Sequence, residues 1–165
     1  MSDKKSLSLI REFWPKNAPD INNVPKYINK YKKELIVIKY GGNVLIDRNI
    51  FNNFIEDISV LNKLGLSIVV VHGGGPRIER KLKEEKIQTK FINGLRVTDE
   101  KVISIVEEVL IDFNKDIVDS LKKKGSQAVS ITSKLNNIIN VVPDSKELGF
   151  VGIPDSIDSE YLKII

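Results

Sequence analysis

Two glycine clusters, Gly41-Gly42 and Gly73-Gly74-Gly75, carry the clearest chemical signal in the chain. Each stands close behind an apolar run, Leu35-Ile36-Val37-Ile38 for the first and Ser67-Ile68-Val69-Val70-Val71 for the second. Glycine lets backbone N–H groups approach an anion closely, and the positive end of a following helix adds attraction. Either cluster alone reads as a tight turn. Two of them at neighbouring strand ends favour a cradle for a phosphoryl group. Neither is a GxxxxGK[ST] loop or a GxGxxG fingerprint. Lys39 precedes the first cluster, where an ammonium can neutralise charge on a transferring phosphoryl group; the bland alternative is a solvated lysine at a strand end. Arg96, in Asn93-Gly94-Leu95-Arg96, is on residue type alone an ordinary loop arginine.

Strands and helices must hold these residues. Leu35 to Ile38 reads as a strand buried on both faces. Phe51, Phe54, Ile55, Ile58 and Leu61 follow at helical spacing, with Gly65 as the cap. Residues 67–71 form a second strand, and Pro76 suits the start of a helix that runs to about Lys86. Strand, loop and helix in that repeated order imply parallel strands joined by helical crossovers. The expected fold is therefore α/β, a three-layer α/β/α sandwich around an open, mainly parallel sheet that binds ligands at the carboxyl ends of its strands. Residues 91–97 read as an extended connector turning at Asn93-Gly94. Thr98 is placed to cap a long helix, and Asp99 and Glu100 favour its positive end. Val102, Val106, Val109, Phe113, Ile117 and Leu121 carry that helix towards Gly125. Two further strands are expected near Gln127–Ile131 and Asn137–Val142, with a hairpin or loop at 148–152. Residues 1–34 form a helical arm before the main domain at 35–165. Leu7, Ile10 and Phe13 fall at helical spacing until Pro15 stops the helix, and Val24 to Tyr31 suits a second one.

Composition sets limits. The 165 residues, 41% hydrophobic and 29% charged, suit one soluble globular domain. With no cysteine there is no disulfide, no thiolate catalysis and no cysteine metal site. No metal site is expected, and a cytoplasmic location fits. No run reaches membrane-spanning length, and the first ten residues lack a signal-peptide core. The net charge is +4 and aromatics make up 7%. Lys122-Lys123-Lys124 reads as a favourable helix end, so no nucleic-acid partner is expected.

Three segments together resemble the N-acetylglutamate kinases of the amino acid kinase family: Lys39-Tyr40-Gly41-Gly42-Asn43, His72-Gly73-Gly74-Gly75-Pro76, and Asn93-Gly94-Leu95-Arg96-Val97-Thr98-Asp99. Order and spacing both match, and the resemblance runs from about Tyr27 to the end. It implies an amino acid kinase-like N-lobe that binds N-acetyl-L-glutamate for ATP-dependent phosphorylation of its side-chain carboxylate in arginine biosynthesis. Lys39 would be catalytic and would stabilise the transferring group. Gly41, Gly42, Gly73 and Gly74 would hold substrate and phosphoryl oxygens through N–H groups, and Arg96 would grip the α-carboxylate, a natural bidentate match. His72, the only histidine, reads as ordering its loop rather than as a general base, because a carboxylate acceptor is already ionised at neutral pH. Asn114-Lys115 resembles a family segment on the long helix.

The resemblance also implies ATP with Mg2+, and a homo-oligomer: a dimer through the long helix, and a hexamer where the apolar face of Leu7, Ile10, Phe13 and Trp14 links dimers. Members with such an arm are inhibited by arginine. In that pattern the nucleotide-binding C-lobe, with a second lysine and an organising aspartate, lies beyond residue 165, so the isolated chain is expected to be inactive. One stretch departs from the pattern. The family reads approximately Gly-Leu-Ser-Gly-Lys-Asp where this chain has Ser130-Ile131-Thr132-Ser133-Lys134-Leu135. The competing readings are a kinase for a related N-acetylated amino acid, such as acetylaminoadipate, and a non-catalytic acetylglutamate-binding or regulatory module.

Overall fold

The computed structural model describes residues 7, 8, 10, 11, 14, 20–41 and 47–161, those of 135 and 136 by backbone alone. Its centre is a parallel pair, β1 (Leu35–Tyr40) and β2 (Ser67–His72), in register from Leu35 opposite Ser67 to Tyr40 opposite His72. Helix α2 (Arg48–Lys63) makes the crossover between them. Asp47 starts it by accepting from the N–H groups of Asn49 and Ile50 at 2.7 and 3.1 Å. Gly65, at φ 87°, ends it, as its position after the apolar periodicity suggested.

After β2 comes α3 (Gly75–Glu84), with Pro76 in its first turn, and then a hairpin of β3 (Phe91–Ile92) and β4 (Leu95–Arg96). Asn93 and Gly94 both take positive φ in its turn, the conformation an Asn-Gly pair tolerates best. The long helix α4 spans Glu100–Lys123. Its cap is Asp99, which accepts from Val102 N–H at 2.9 Å, and not Thr98. The Thr98 hydroxyl instead donates to Arg96 O at 2.8 Å. Short α5 (Ser133–Asn136), β5 (Ile139–Pro143) and β6 (Gly152–Ile157) follow, the last two as an antiparallel hairpin.

The main core lies between the parallel pair, α2 and α4. Tyr40, Ile55, Ile58, Phe113, Ile117 and Leu121 are buried there, with Ile38, Ile68 and Val70 packed against them. A second cluster joins α3 to the first half of α4 through Ile78, Leu82 and Val102. The α/β class and the parallel sheet thus follow the sequence patterns. Two local expectations do not hold. Residues 127–131 form no strand, so β2 pairs with β1 alone among the described residues. A hollow of about 770 Å³ lies where that third strand would run, lined by β2, α4 and residues 126–129. Nor is β1 buried on both faces: Val37 is 61% exposed, and Val71 of β2 is 48% exposed. Helices cover one face of the pair, and nothing among the described residues covers the other.

The N-terminal apolar face packs on its own domain. Ile10 is buried with Val24 and Leu64, and Leu7, Trp14, Ile28 and Val60 surround them. Phe13 lies outside the described residues. Helix α1 (Val24–Tyr31) joins the same cluster, with Pro25 at its start.

One close approach ties the final hairpin to the start of α4. Thr98 N–H donates to Leu148 O at 3.0 Å, and Phe150 N–H donates to Thr98 O at 2.8 Å. Gly149 lies between them at φ 68° and ψ −121°, and a Cβ there would stand 2.3 Å from Thr98 O. Both the dihedrals and the contact demand glycine. Gly149→Ala should therefore cost about 2–3 kcal/mol in urea unfolding. A change below about 0.5 kcal/mol would show that the hairpin can shift freely.

Candidate functional site

The parallel register brings the two glycine segments together. Tyr40 pairs with His72, and Gly73 N–H donates to Tyr40 O at 3.1 Å, one step past the last paired residues. Gly41 and Gly73 therefore leave neighbouring strands at the same carboxyl end, where an open α/β sheet binds ligands. Gly42 lies outside the described residues. A Cβ at Gly41, Gly73 or Gly75 would meet nothing within 4 Å, so these positions border open space. Gly74 differs. It is buried, and a Cβ there would come 2.7 Å from Leu110 Cδ2 of α4. Its small size lets the loop lie against the long helix.

Lys39 pairs with Val71 in the ladder and is exposed. It lies on the open face with Leu35 and Val37, since alternate strand residues share a face. Among the described residues no carboxylate pairs with it. Beside it, Ile38, Tyr40, Gly41, Asn53, Phe54 and Asp57 border a hollow of about 370 Å³ at the sheet edge. Burial raises the Asp57 carboxyl from its ordinary value, and neighbouring Glu56 adds to the effect.

Beneath the glycines lies an aromatic platform. Tyr40 stacks on Phe54 at 4.0 Å between centroids, and Phe113 meets Tyr40 at 6.3 Å and the edge of His72 at 4.9 Å. Arg77, in the first turn of α3, sets its guanidinium 3.9 Å from the centre of the Phe113 ring and pairs with Asp116 at 2.7 Å. This cation near the two loops was missed in the sequence. Its only signal there was its place two residues past the glycines. Burial raises the Tyr40 phenol; Arg77 opposes that shift and Asp47 reinforces it.

Among the described residues Arg96 contacts neither glycine loop directly. Its guanidinium donates to Glu79 at 2.8 Å and to the Thr89 hydroxyl, and it lies 4.6 Å from the centre of the Phe91 ring. Glu79 sits one turn into α3, the helix that begins at Gly75. The arginine is thus held one helical turn from the second loop, with its planar fork fixed by stacking and two hydrogen bonds. Glu79 was also missed, because a pair formed across a turn between α3 and β4 leaves no local pattern. His72 sits between Gly73 and α4, with Nδ1 3.1 Å from Gly73 O and Nε2 3.3 Å from Asn114 Nδ2. Among the described residues no group of three metal-ligating side chains occurs, and no helix is long and apolar enough to cross a membrane.

Residues 34–163 match the sequence pattern of the amino acid kinase family. The chain belongs to that family. An acetylglutamate kinase from Pelagibacter ubique (strain HTCC1062) is 55% identical over 162 residues, covering 98% of this chain and 56% of that relative. One from Petrotoga mobilis (strain DSM 10674 / SJ95) is 41% identical over 151 residues, covering 84% and 50%. The chain therefore spans about half the length of the curated relatives it matches. Among solved structures, a protein from Streptococcus mutans UA159 aligns over 80% of this chain and 54% of its own, at 28% identity and a TM-score of 0.66. An N-acetylglutamate synthase from Neisseria gonorrhoeae, complexed with coenzyme A and N-acetyl-glutamate, aligns over 87% of this chain and 33% of its own. At 21% identity and a TM-score of 0.70 it shares the fold.

Proposed function

We propose that this chain is the acceptor-binding half of an acetylglutamate kinase, which transfers a phosphoryl group from ATP to the side-chain carboxylate of N-acetyl-L-glutamate in arginine biosynthesis. The observation that carries the reading is the Gly73 N–H to Tyr40 O bond at 3.1 Å, which joins the two glycine segments at one sheet edge. High identity to acetylglutamate kinases supports the same reading. In it, Gly41, Gly42, Gly73 and Gly74 present N–H groups to substrate and phosphoryl oxygens, Lys39 offsets their charge, and Arg96 orients the α-carboxylate. The carboxylate attacks already ionised, so no residue needs to remove a proton.

ATP with Mg2+ is the proposed donor and, when bound, supplies the phosphoryl group. Open glycine positions and an exposed ammonium suit phosphoryl oxygens. A cytoplasmic location and assembly into a homo-oligomer through α4, with arginine as inhibitor, are further proposals drawn from the resemblance. The arm lends the assembly less support than its sequence suggested, because Ile10 and Trp14 pack on their own domain. A strict monomer in sedimentation at high concentration would remove the oligomer.

Calorimetry with N-acetyl-L-glutamate and N-acetyl-L-aminoadipate tests the acceptor site. The shorter ligand should bind more tightly. Arg96→Lys should weaken it by about 1–3 kcal/mol, since a point charge cannot replace a bidentate fork. Equal affinity in the two chains would take Arg96 out of the site.

A further inference from the structure

Asn114 stands beside Phe113 on α4, with its Nδ2 3.3 Å from His72 Nε2. On the far side of the imidazole, His72 Nδ1 lies 3.1 Å from the Gly73 carbonyl. The Ser130 hydroxyl donates to Asn114 Oδ1. The amide nitrogen faces the ring and its oxygen faces Ser130, and that orientation sets the assignment. An amide nitrogen only donates, so Nε2 accepts; a carbonyl only accepts, so Nδ1 carries the proton. The ring is then neutral and held as the Nδ1–H tautomer. We infer that His72 is a positioning residue: Ser130 and Asn114 fix its tautomer, and through the Gly73 carbonyl it aims the Gly74 N–H at the anion.

The peptide between Gly73 and Gly74 is planar and trans, so its N–H points opposite to its C=O. Drawing the carbonyl towards the imidazole turns the Gly74 N–H away from it. Gly74 is buried, yet its N–H has no partner among the described residues. A buried donor without a partner is costly unless something arrives to accept it. Ser130 completes the relay. The serine hydroxyl holds the amide with its oxygen outward and its nitrogen on His72.

That the anion belongs to substrate or phosphoryl group rests on the function proposed above; the tautomer does not. The chain contains one histidine, so nitrogen-15 labelling of histidine yields a single pair of ring signals. In the unaltered chain Nδ1 should appear protonated and Nε2 unprotonated. Asn114→Asp places an acceptor against Nε2. With acceptors on both sides, Nε2 should gain a proton, the Gly74 amide signal should move, and N-acetylglutamate affinity should fall about tenfold. Ser130→Gly, at an exposed position, should mix the tautomers without unfolding the chain, and it carries the test should Asn114→Asp fold poorly. An Nε2–H ring in the unaltered chain would overturn the inference. So would a newly protonated Nε2 with an unmoved Gly74 signal. If tautomer and Gly74 respond as expected while the unaltered chain binds no N-acetylglutamate, the proposed function falls and the positioning role stands.

Discussion

Phe113→Ala is expected to lower the unfolding free energy by about 3–5 kcal/mol, the range for emptying a large buried aromatic site. Phe113 is 0% exposed, and its ring meets Tyr40, Phe51, His72 and the guanidinium of Arg77. Alanine would leave a cavity bounded by three rings, a helix and the end of β1, none of which can close over it without leaving its own contacts. It would also free Arg77 from its ring, an interaction worth about 0.5–2 kcal/mol, leaving it with Asp116. A domain of this size should lose roughly 10 °C in melting temperature. Phe113→Leu keeps most of the volume and should cost only about 1–2 kcal/mol. Urea unfolding followed by circular dichroism measures both. A loss below about 1 kcal/mol for alanine would mean that Phe113 does not join the core to the site. The same substitution removes the support on which the His72 ring rests, so the Gly74 amide signal should broaden or move as well.

Much of this arrangement was legible in the sequence. The β-branched runs ending in glycine located β1, β2 and the loops, because local pattern and tertiary role agree there. Asn93-Gly94 announced its turn and Gly65 its cap, since both positions need positive φ. The long helix was plain from the spacing of Val102, Phe113, Ile117 and Leu121. Other features depend on contacts that no window of sequence holds. Residues 127–131 have strand composition, yet a strand exists only where a ladder forms, and β2 offers no paired edge to them here. Leu35 and Val37 are as apolar as buried strand residues, but the layer that would cover them is not among the described residues. Thr98 and Asp99 are both good caps. The choice fell to Asp99 because the Thr98 backbone is bonded to Leu148 and Phe150. Arg77 and Glu79 went unread because an arginine or glutamate early in a helix is usually solvated, and only the fold reveals Asp116, Phe113 and Arg96 as their partners.

Binding and catalysis should separate when this chain is assayed alone. Phosphoryl transfer to a carboxylate needs nucleophile, γ-phosphate and charge-neutralising groups held together in line. On the proposed reading the chain supplies the acceptor side: Arg96 for orientation, glycine N–H groups for oxyanions, and Lys39 for charge. A second lysine, an organising aspartate and the adenine pocket belong, by the resemblance, to the other half of the relatives' length. Each preorganised charge-stabilising donor is worth about 10²–10³ in rate, and groups that act as a unit are lost together rather than by shares. Acyl phosphate formation by the 165-residue chain should therefore fall at least about 10⁴-fold below that of a full-length relative, beneath detection in a hydroxamate assay. Binding should decline far less, because the acceptor groups remain. A dissociation constant of about 1 mM, or some 4 kcal/mol, is expected for N-acetyl-L-glutamate. Adding Lys39→Ala to a full-length relative's equivalent position should reproduce part of the rate loss while leaving acceptor affinity within a few-fold. Robust turnover by the isolated chain would mean that the chemistry is carried by residues within it, and Lys39, Arg77 and Asp57 would be the first to substitute.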